Sequence, residues 1–159
     1  MAIEVTVQDV RDTPDDEVPA SSDFTRWANI AADNLHESVQ LTVRVVDPAE
    51  SRQLNSQYRG RDRPTNVLSF AYGDELLPAE VDAQHLLGDL VICADLVHRE
   101  AVDKQCPVSD HWAHLTIHGV LHLLGYDHET RQQAEDMEAR EISLLASLNI
   151  QNPYEAINE

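Results

Sequence analysis

Short stretches of alternating or strand-favouring residues recur along the chain and predict four strands. Apolar and polar residues alternate at 3–7 (IEVTV) and at 41–46 (LTVRVV), which is the period of a strand with one buried face. Two later stretches, 66–72 (NVLSFAY) and 86–93 (LLGDLVIC), are rich in residues that favour strands. An acidic, proline-containing loop separates these last two, so their connection is hairpin-like.

Helices are expected before and after the second strand. A first helix is expected where Ser21 and Ser22 offer an N-cap. Its apolar positions are Phe24, Trp27, Ala28, Ala31 and Leu35. A second helix is expected from Asp47 and Pro48, an N-cap followed by proline at the first helical position, to about Tyr58.

Three more helices are expected in the second half of the chain. One covers about 94–104, and the next covers about 110–124 with Ser109 and Asp110 as its cap. The last begins at the capping-box pattern formed by Thr130 and Gln133. Its apolar face consists of Ala134, Met137, Leu144, Leu145 and Leu148. Strands interrupted by helices in this way predict an α+β fold with a mixed, about four-stranded sheet covered by helices.

The length and composition of the chain bound its class. A chain of 159 residues is long enough for one domain with its own core, so residues 1–159 are expected to form a single domain. No apolar stretch approaches the roughly 18 residues of a membrane span, and the N-terminus lacks the features of a signal peptide. We expect a cytoplasmic protein with no membrane partner. Cys93 and Cys106 are then expected to be free thiols.

The charge of the chain is strongly negative, with 29 acidic residues, 11 basic ones and a formal net charge of −18. A field of this sign repels nucleic acid. Ten of the eleven basic residues are nevertheless arginine, whose planar fork matches phosphate. Arg59, Arg61 and Arg63 fall within five residues and form either a local phosphate-binding patch or simply a solvated turn.

Histidines form a stripe on the fourth predicted helix. His111, His114, His118 and His122 fall on one face at a period of 3.6 residues. The opposite face carries Ala113, Ile117, Val120 and Leu124. The helix is therefore expected to be buried, with its histidine stripe lining a cleft. Four buried histidines each need a hydrogen-bond partner, so packing alone explains the stripe poorly.

The spacing of the histidines at the end of this helix predicts a three-histidine metal site. His118 and His122, four residues apart, can reach one ion. Gly125 can adopt the left-handed conformation that ends a helix and turns the chain, which brings His128 back toward the pair. Three ligands leave one coordination position open for water, whose pKa a zinc ion lowers toward about 7.

The spacing HGxxHxxGxxH matches the zinc-peptidase pattern HExxHxxGxxH except at one position. In those enzymes the glutamate after the first histidine is the general base. Here that position is Gly119, which can neither accept nor give a proton. Peptide hydrolysis by that mechanism is therefore disfavoured.

Three segments together carry a resemblance to a known family. YRGRDRPTNVLSF, LLGDLVI and HGVLHLLGYDH occur in this order and resemble the YbeY family of bacterial metal-dependent endoribonucleases. The resemblance implies a single-domain α+β fold, one zinc ion per chain, and cleavage of single-stranded RNA. It also implies a role in maturation of the 16S ribosomal RNA 3′ end and in ribosome quality control. The expected partners are ribosomal RNA and the small ribosomal subunit or its associated factors.

The resemblance also implies roles for individual residues. His118, His122 and His128 would be the metal ligands, and Arg59 would be the basic residue required for activity. A guanidinium there can stabilise the charge that develops on a phosphodiester under attack through two charge-assisted hydrogen bonds.

Four further residues near the predicted site are candidates for supporting roles. Arg61 and Arg63 are expected to hold the RNA backbone, a role that is independent of sequence. His114, one turn before the first ligand, is a candidate proton shuttle or substrate contact, a partner of a ligand imidazole, or a packing residue. Asp127 could orient a ligand imidazole or satisfy the turn that precedes His128.

Two other functions compete with this interpretation. In the first, the protein is a non-catalytic ribosome assembly factor whose zinc only stabilises the fold, with Cys93 or Cys106 as a fourth ligand. In the second, it is a peptidase, which Gly119 disfavours.

Overall fold

A four-stranded sheet forms the centre of the computed structural model, which describes residues 3–12, 17–33, 38–71 and 86–155. Within these ranges the chain forms four strands and five α-helices. In chain order they are β1 Ile3–Asp9, α1 Ser21–Ala31, β2 Val39–Val46, α2 Pro48–Arg59, β3 Val67–Ala71, β4 Leu86–Cys93, α3 Ala94–Lys104, α4 Val108–Leu123 and α5 Arg131–Ser147. The stretch between β3 and β4 that the sequence predicts to be an acidic loop, together with Leu35 and Tyr72, lies outside the described residues.

The strands lie in the order β1-β2-β4-β3. β1 pairs with β2, and β2 with β4, in parallel. β3 runs antiparallel to β4, with Ser69 opposite Leu90. Parallel neighbours need crossover connections, which the helices provide, and the antiparallel pair needs none. The predicted α+β domain with a mixed sheet covered by helices is confirmed.

Helices cover both faces of the sheet because residues along β4 alternate between two cores. Leu90 and Ile92 point into the larger core, which also contains buried residues of α1, α4 and α5. Val91 and Cys93 point the other way, into a smaller core that α2 covers with Leu54 and Tyr58. α4 lies at the centre of the larger core, and all its residues from His111 to Ile117 are buried. The prediction that the histidine helix is deeply packed is confirmed.

The first helix begins differently from the prediction. Ser21 and Ser22 are its first two residues, and Ala20 occupies the N-cap position. The Asp23 carboxylate accepts a hydrogen bond of 3.2 Å from the backbone N–H of Ala20. The predicted serine cap is wrong. The side chain of Asp23, an acidic residue within the first turn, instead accepts the hydrogen bond from the N-cap backbone.

The cap predicted for α4 is also wrong, whereas that for α5 is confirmed. α4 has Pro107 as its N-cap residue, and the Pro107 carbonyl accepts a hydrogen bond of 3.1 Å from the N–H of Asp110. Ser109 and Asp110 therefore lie within the first turn. At α5, Thr130 and Gln133 form the reciprocal capping box, with both bonds at 3.1 Å. No helix in the described part of the chain has both the length and the apolarity needed to cross a bilayer.

Candidate metal centre and arginine cleft

Three histidines converge at the C-terminal end of α4. His118 and His122 lie one turn apart, with ring centroids separated by 4.7 Å. His128 follows the helix, and its ring centroid lies 4.9 Å from that of His122 and 5.9 Å from that of His118. One nitrogen from each ring lies within 4.8 Å of the other two, so the group could hold a metal ion.

The turn after α4 brings His128 close to His118 and His122. Gly125 has a φ of +104°, which a residue with a side chain rarely adopts. Its N–H donates a hydrogen bond of 3.0 Å to the carbonyl oxygen of His122. The Asp127 carboxylate accepts a bond of 2.7 Å from the backbone N–H of His128. The predicted left-handed glycine is confirmed, and Asp127 makes the turn contact that was one of its two expected roles.

Two of the three imidazoles are oriented by acceptors behind them. The Nδ1 of His118 lies 3.3 Å from the Glu141 carboxylate, and that of His122 lies 3.0 Å from the Tyr126 carbonyl oxygen. An Nδ1–H that donates to these oxygens leaves Nε2 of each ring with a free lone pair. Burial and the neighbouring His118 and His128 lower the pKa of His122, which favours the neutral form that binds metals. The donor set therefore fits a zinc ion.

Glu141 is a functional candidate that the sequence analysis missed. It is fully buried, although it carries a carboxylate. Its two oxygens lie 2.7 Å from Nε2 of His114 and 3.3 Å from Nδ1 of His118, and it accepts a bond of 2.9 Å from the Tyr154 hydroxyl. Burial alone raises its pKa, but the hydrogen bonds from His114 and His118 outweigh this effect and lower the pKa of Glu141 to about 2. The residue is an anion at neutral pH.

The sequence contained a signal for Glu141. It lies four residues after Met137 and four before Leu145, on the face of α5 that is otherwise apolar. An ionisable residue at such a position is rarely fully buried unless it is paired. Looking for a cationic or hydrogen-bonding partner of this acid would have led to the histidine stripe.

Gly119 lies close to two side chains of the sheet. A Cβ atom there would lie 2.7 Å from a terminal methyl group of Leu90 and 3.3 Å from the hydroxyl of Ser69. A glutamate, the general base of the zinc peptidases, would fit only if the buried side chain of Leu90 moved aside. The packing thus agrees with the prediction that peptidase chemistry is disfavoured.

Arg59 is held by main-chain oxygens and an aromatic ring. Its guanidinium donates bonds of 2.9 Å to the Ser69 carbonyl and 3.1 Å to the Tyr58 carbonyl. It also lies over the Phe70 ring, 4.7 Å from the centroid. With five N–H donors and two used here, the guanidinium retains donors for an anionic ligand.

A cavity of about 700 Å³ joins the histidines and the arginines. The predicted site residues that line it are Arg59, Arg61, Arg63, His118, His122 and His128. His114 lies elsewhere: it is buried on the far side of Glu141 and, with His111, borders a second cavity of about 620 Å³. The predicted histidine stripe is thus divided between two cavities.

The cysteines do not join the histidine group. Both are free, as predicted: Cys93 is buried in the smaller core and Cys106 borders the second cavity. Among the described residues, the group able to hold a metal consists of the three histidines alone. The fourth protein ligand that a purely structural zinc site would need is not found there.

Fold and site together define a class: a small α+β protein in which three histidines able to hold a metal ion open onto an arginine-lined cleft. The family described as Endoribonuclease YbeY matches residues 8–149. This match covers most of the chain, and the chain belongs to the YbeY family. It is accordingly an enzyme, an endoribonuclease whose substrate is RNA.

Two known proteins illustrate the similarity. Endoribonuclease YbeY of Alkalilimnicola ehrlichii is 53% identical over 139 residues, which are 86% of this chain and 82% of the relative. The solution structure of TM1509 from Thermotoga maritima superimposes with a TM-score of 0.54 over 92% of this chain and 91% of that one. The two sequences are only 24% identical, so this second likeness concerns the fold.

Proposed function

We propose that the chain is a zinc-dependent endoribonuclease specific for single-stranded RNA, which matures the 3′ end of 16S ribosomal RNA and serves ribosome quality control. One observation carries the catalytic part of this proposal: the three histidines and the three arginines line one cleft. A cationic cleft beside a metal site suits a phosphodiester, whose charge both can stabilise.

In this proposal His118, His122 and His128 hold one zinc ion through neutral imidazole nitrogens. Histidine ligation and a three-residue open site favour zinc over magnesium or calcium, which prefer oxygen ligands. When bound, zinc would supply a Lewis acid for a phosphate oxygen or lower the pKa of a water molecule.

Arg59 is the catalytic residue of the proposal. Its contacts with the Ser69 and Tyr58 carbonyls fix the guanidinium before substrate arrives. A preorganised cation stabilises charge that develops on the non-bridging oxygens without first having to reorient. The phosphoryl group would therefore lie between this guanidinium and the histidine group.

Arg61 and Arg63 hold the RNA backbone in the proposal. Both are exposed and border the same cleft. Since the chain carries a formal charge of −18, RNA is attracted to this cleft and repelled elsewhere. Weak binding outside the cleft would restrict cleavage to RNA that is already presented by a partner, and the small ribosomal subunit is the partner we propose.

Cleavage of a single-stranded RNA by zinc-loaded protein tests the catalytic proposal. The wild type is compared with Arg59→Glu, His118→Ala and the control Arg26→Glu, which changes an exposed arginine on α1 outside the cleft. Circular dichroism checks that each variant is folded. We expect the wild type and the control to cut and the two site variants to fail. Equal cleavage by all four would attribute the activity to a contaminant.

The chemistry of the cut ends identifies the nucleophile. If water attacks, no cyclic phosphate forms and a 2′-deoxy residue at the cut is tolerated. If the 2′-hydroxyl attacks, 2′,3′-cyclic ends appear and the deoxy substitution blocks cleavage. Either result is compatible with Arg59 stabilising the developing charge.

The ribosomal proposal has its own test. Immature small subunits and the same RNA stripped of protein are incubated with the enzyme, and the 16S 3′ end is mapped. We expect the mature end only from the subunit. Identical cleavage patterns on both substrates would contradict the need for a partner.

A further inference from the structure

The buried carboxylate of Glu141 lies directly behind the histidine group, and nothing in the proposed chemistry uses it. We infer that Glu141 is a positioning residue of the metal site, and that Tyr154 makes the C-terminal segment part of that site. The inference rests on the proposed metal-holding role of His118.

Three donors surround the Glu141 carboxylate. One oxygen lies 2.7 Å from Nε2 of His114 and accepts a bond of 2.9 Å from the Tyr154 hydroxyl. The other oxygen lies 3.3 Å from Nδ1 of His118. The Tyr154 ring also packs edge-on against His114, with centroids 5.5 Å apart. A single anion thus connects α4, α5 and the segment after α5.

Stability alone does not explain a carboxylate at this position. Glu141 is fully buried on a face that otherwise carries Met137, Leu144 and Leu145. Removing a charge from water is costly, and well-packed apolar residues often replace buried ion pairs without loss of stability. A leucine or methionine would suit this face of α5 equally well. We therefore look for the function of the carboxylate in its effect on the neighbouring His118.

That role is the choice of tautomer. His118 can hold a metal through Nε2 only if its proton resides on Nδ1. A carboxylate facing Nδ1 favours this tautomer, fixes the ring plane and makes the ligand a stronger donor. The Tyr154 hydroxyl and His114 hold the carboxylate in turn, so the C-terminal segment acts on the metal site through Glu141.

The chain offers a matched control on the same helix. His111 pairs with the carboxylate of Glu100 at 2.8 Å, and His111 is also buried. Neither residue contacts the three histidines. Glu100 lies on α3 and is half-buried, so Glu100→Gln perturbs a carboxylate–histidine pair that joins α3 to α4 without touching the tautomer of His118.

The test is zinc affinity, measured by competition with a chelator of known affinity. Glu141→Gln should weaken zinc binding by about 10–100-fold, the usual effect of removing the partner of a metal-binding histidine. Tyr154→Phe keeps the ring and removes one hydrogen bond, so a smaller loss of about threefold to tenfold is expected. Glu100→Gln should bind zinc as the wild type does, even though it lowers the melting temperature.

A second measurement reads the tautomer directly in the metal-free protein. The ¹⁵N chemical shifts of the His118 ring should report a proton on Nδ1 in the wild type and a mixture of tautomers in Glu141→Gln. If Glu141→Gln does not fold, Tyr154→Phe tests the inference instead, through its zinc affinity and the same ¹⁵N shifts of His118.

The outcomes separate this inference from the proposal on which it rests. Zinc binding by the wild type with equal affinity in Glu141→Gln and Tyr154→Phe would overturn the inference and leave the metal site standing. Equal weakening in Glu100→Gln and Glu141→Gln would assign the effect to general destabilisation and also overturn it. A wild type that binds no zinc would overturn the metal site itself.

Discussion

The backbone carbonyl of Ser69 accepts a hydrogen bond of 2.9 Å from the guanidinium of Arg59. The hydroxyl of the same serine donates a bond of 3.2 Å to the carbonyl oxygen of Gly119, which lies beside the first ligand candidate on α4. One residue of β3 therefore connects the arginine to the histidine helix. The position of the guanidinium relative to the metal site is therefore tied to the backbones of β3 and α4.

This relationship predicts that Arg59→Lys is a poor substitute. Lysine keeps the charge but has neither the fork that bonds two carbonyls nor the flat face that stacks on Phe70. We expect the rate of RNA cleavage under single-turnover conditions to fall about 100-fold, with zinc affinity unchanged. Ser69→Ala keeps the carbonyl that holds the arginine and should reduce the rate far less. Equal loss in both variants would contradict the special role of the guanidinium.

Gly119→Ala should destabilise the protein by overpacking. The new methyl group would lie 2.7 Å from Leu90, a fully buried residue of β4. We expect a loss of about 1–3 kcal/mol in the free energy of unfolding, measured by urea denaturation. In a Leu90→Ala background the same change should cost less, because the methyl group can use the vacated space. Additive effects of the two substitutions would count against a direct clash.

The histidine group was predictable from sequence because its geometry is local. His118 and His122 share a helix face, and Gly125 reverses the chain within six residues of His122. The arginine cluster was equally visible in the sequence, but that it faces the histidines depends on β3 lying against α4. This contact joins elements that are distant in the sequence. Only the resemblance to a known family could predict that the arginines and the histidines belong to one site.

Glu141 and the helix caps show where the sequence analysis failed. Glu141 lies 23 residues after His118 on a different helix. Its neighbours on that face of α5 are apolar, so the face was predicted as a core face and its one charged residue was overlooked. The caps of α1 and α4 depend on which of several neighbouring groups satisfies the first free N–H. At α1 the Asp23 carboxylate does so, and at α4 the N-cap residue is Pro107, whose carbonyl accepts from the N–H of Asp110.

His128→Ala should separate metal binding from folding. The side chain is exposed on the turn after α4, so its loss should change the stability of the metal-free protein by less than about 0.5 kcal/mol. Zinc at 100 times its Kd should stabilise the wild type by about 2.7 kcal/mol. We expect thermal unfolding with and without zinc to show this gain in the wild type and in Glu129→Ala, and little gain in His128→Ala. An undiminished gain would exclude His128 as a ligand.

The Glu100–His111 pair predicts a dependence of stability on pH. Burial raises the pKa of Glu100, but hydrogen bonds from His111 and Asn66 outweigh this and leave it below the usual value of 4.5. A carboxylate with a lowered folded pKa adds stability that is present above that usual value and is lost as pH falls through the folded pKa.

Glu100→Gln should therefore be less stable than the wild type by about 1 kcal/mol at pH 7. The difference in free energy of unfolding should stay constant down to about pH 5 and shrink below it, because protonation abolishes the advantage of the carboxylate. Urea denaturation of both proteins between pH 7 and pH 3 measures this difference. A gap that widens as the pH falls would mean that the folded pKa is raised instead.

The acidic surface and the cationic cleft together predict how RNA affinity responds to salt. Each phosphate neutralised on a single strand contributes about −0.7 to the slope of log K against log salt concentration. Arg61 and Arg63 border the cleft, so replacing both with alanine should make the slope less negative by about 1.4. Arg26→Ala removes an equally basic residue from α1 and should leave the slope unchanged, because that surface repels RNA. Fluorescence anisotropy of a labelled single-stranded RNA over a range of salt concentrations measures the slope for the wild type and for each variant. Equal slopes in all three proteins would mean that the RNA backbone does not lie along these arginines and that Arg59 alone anchors it.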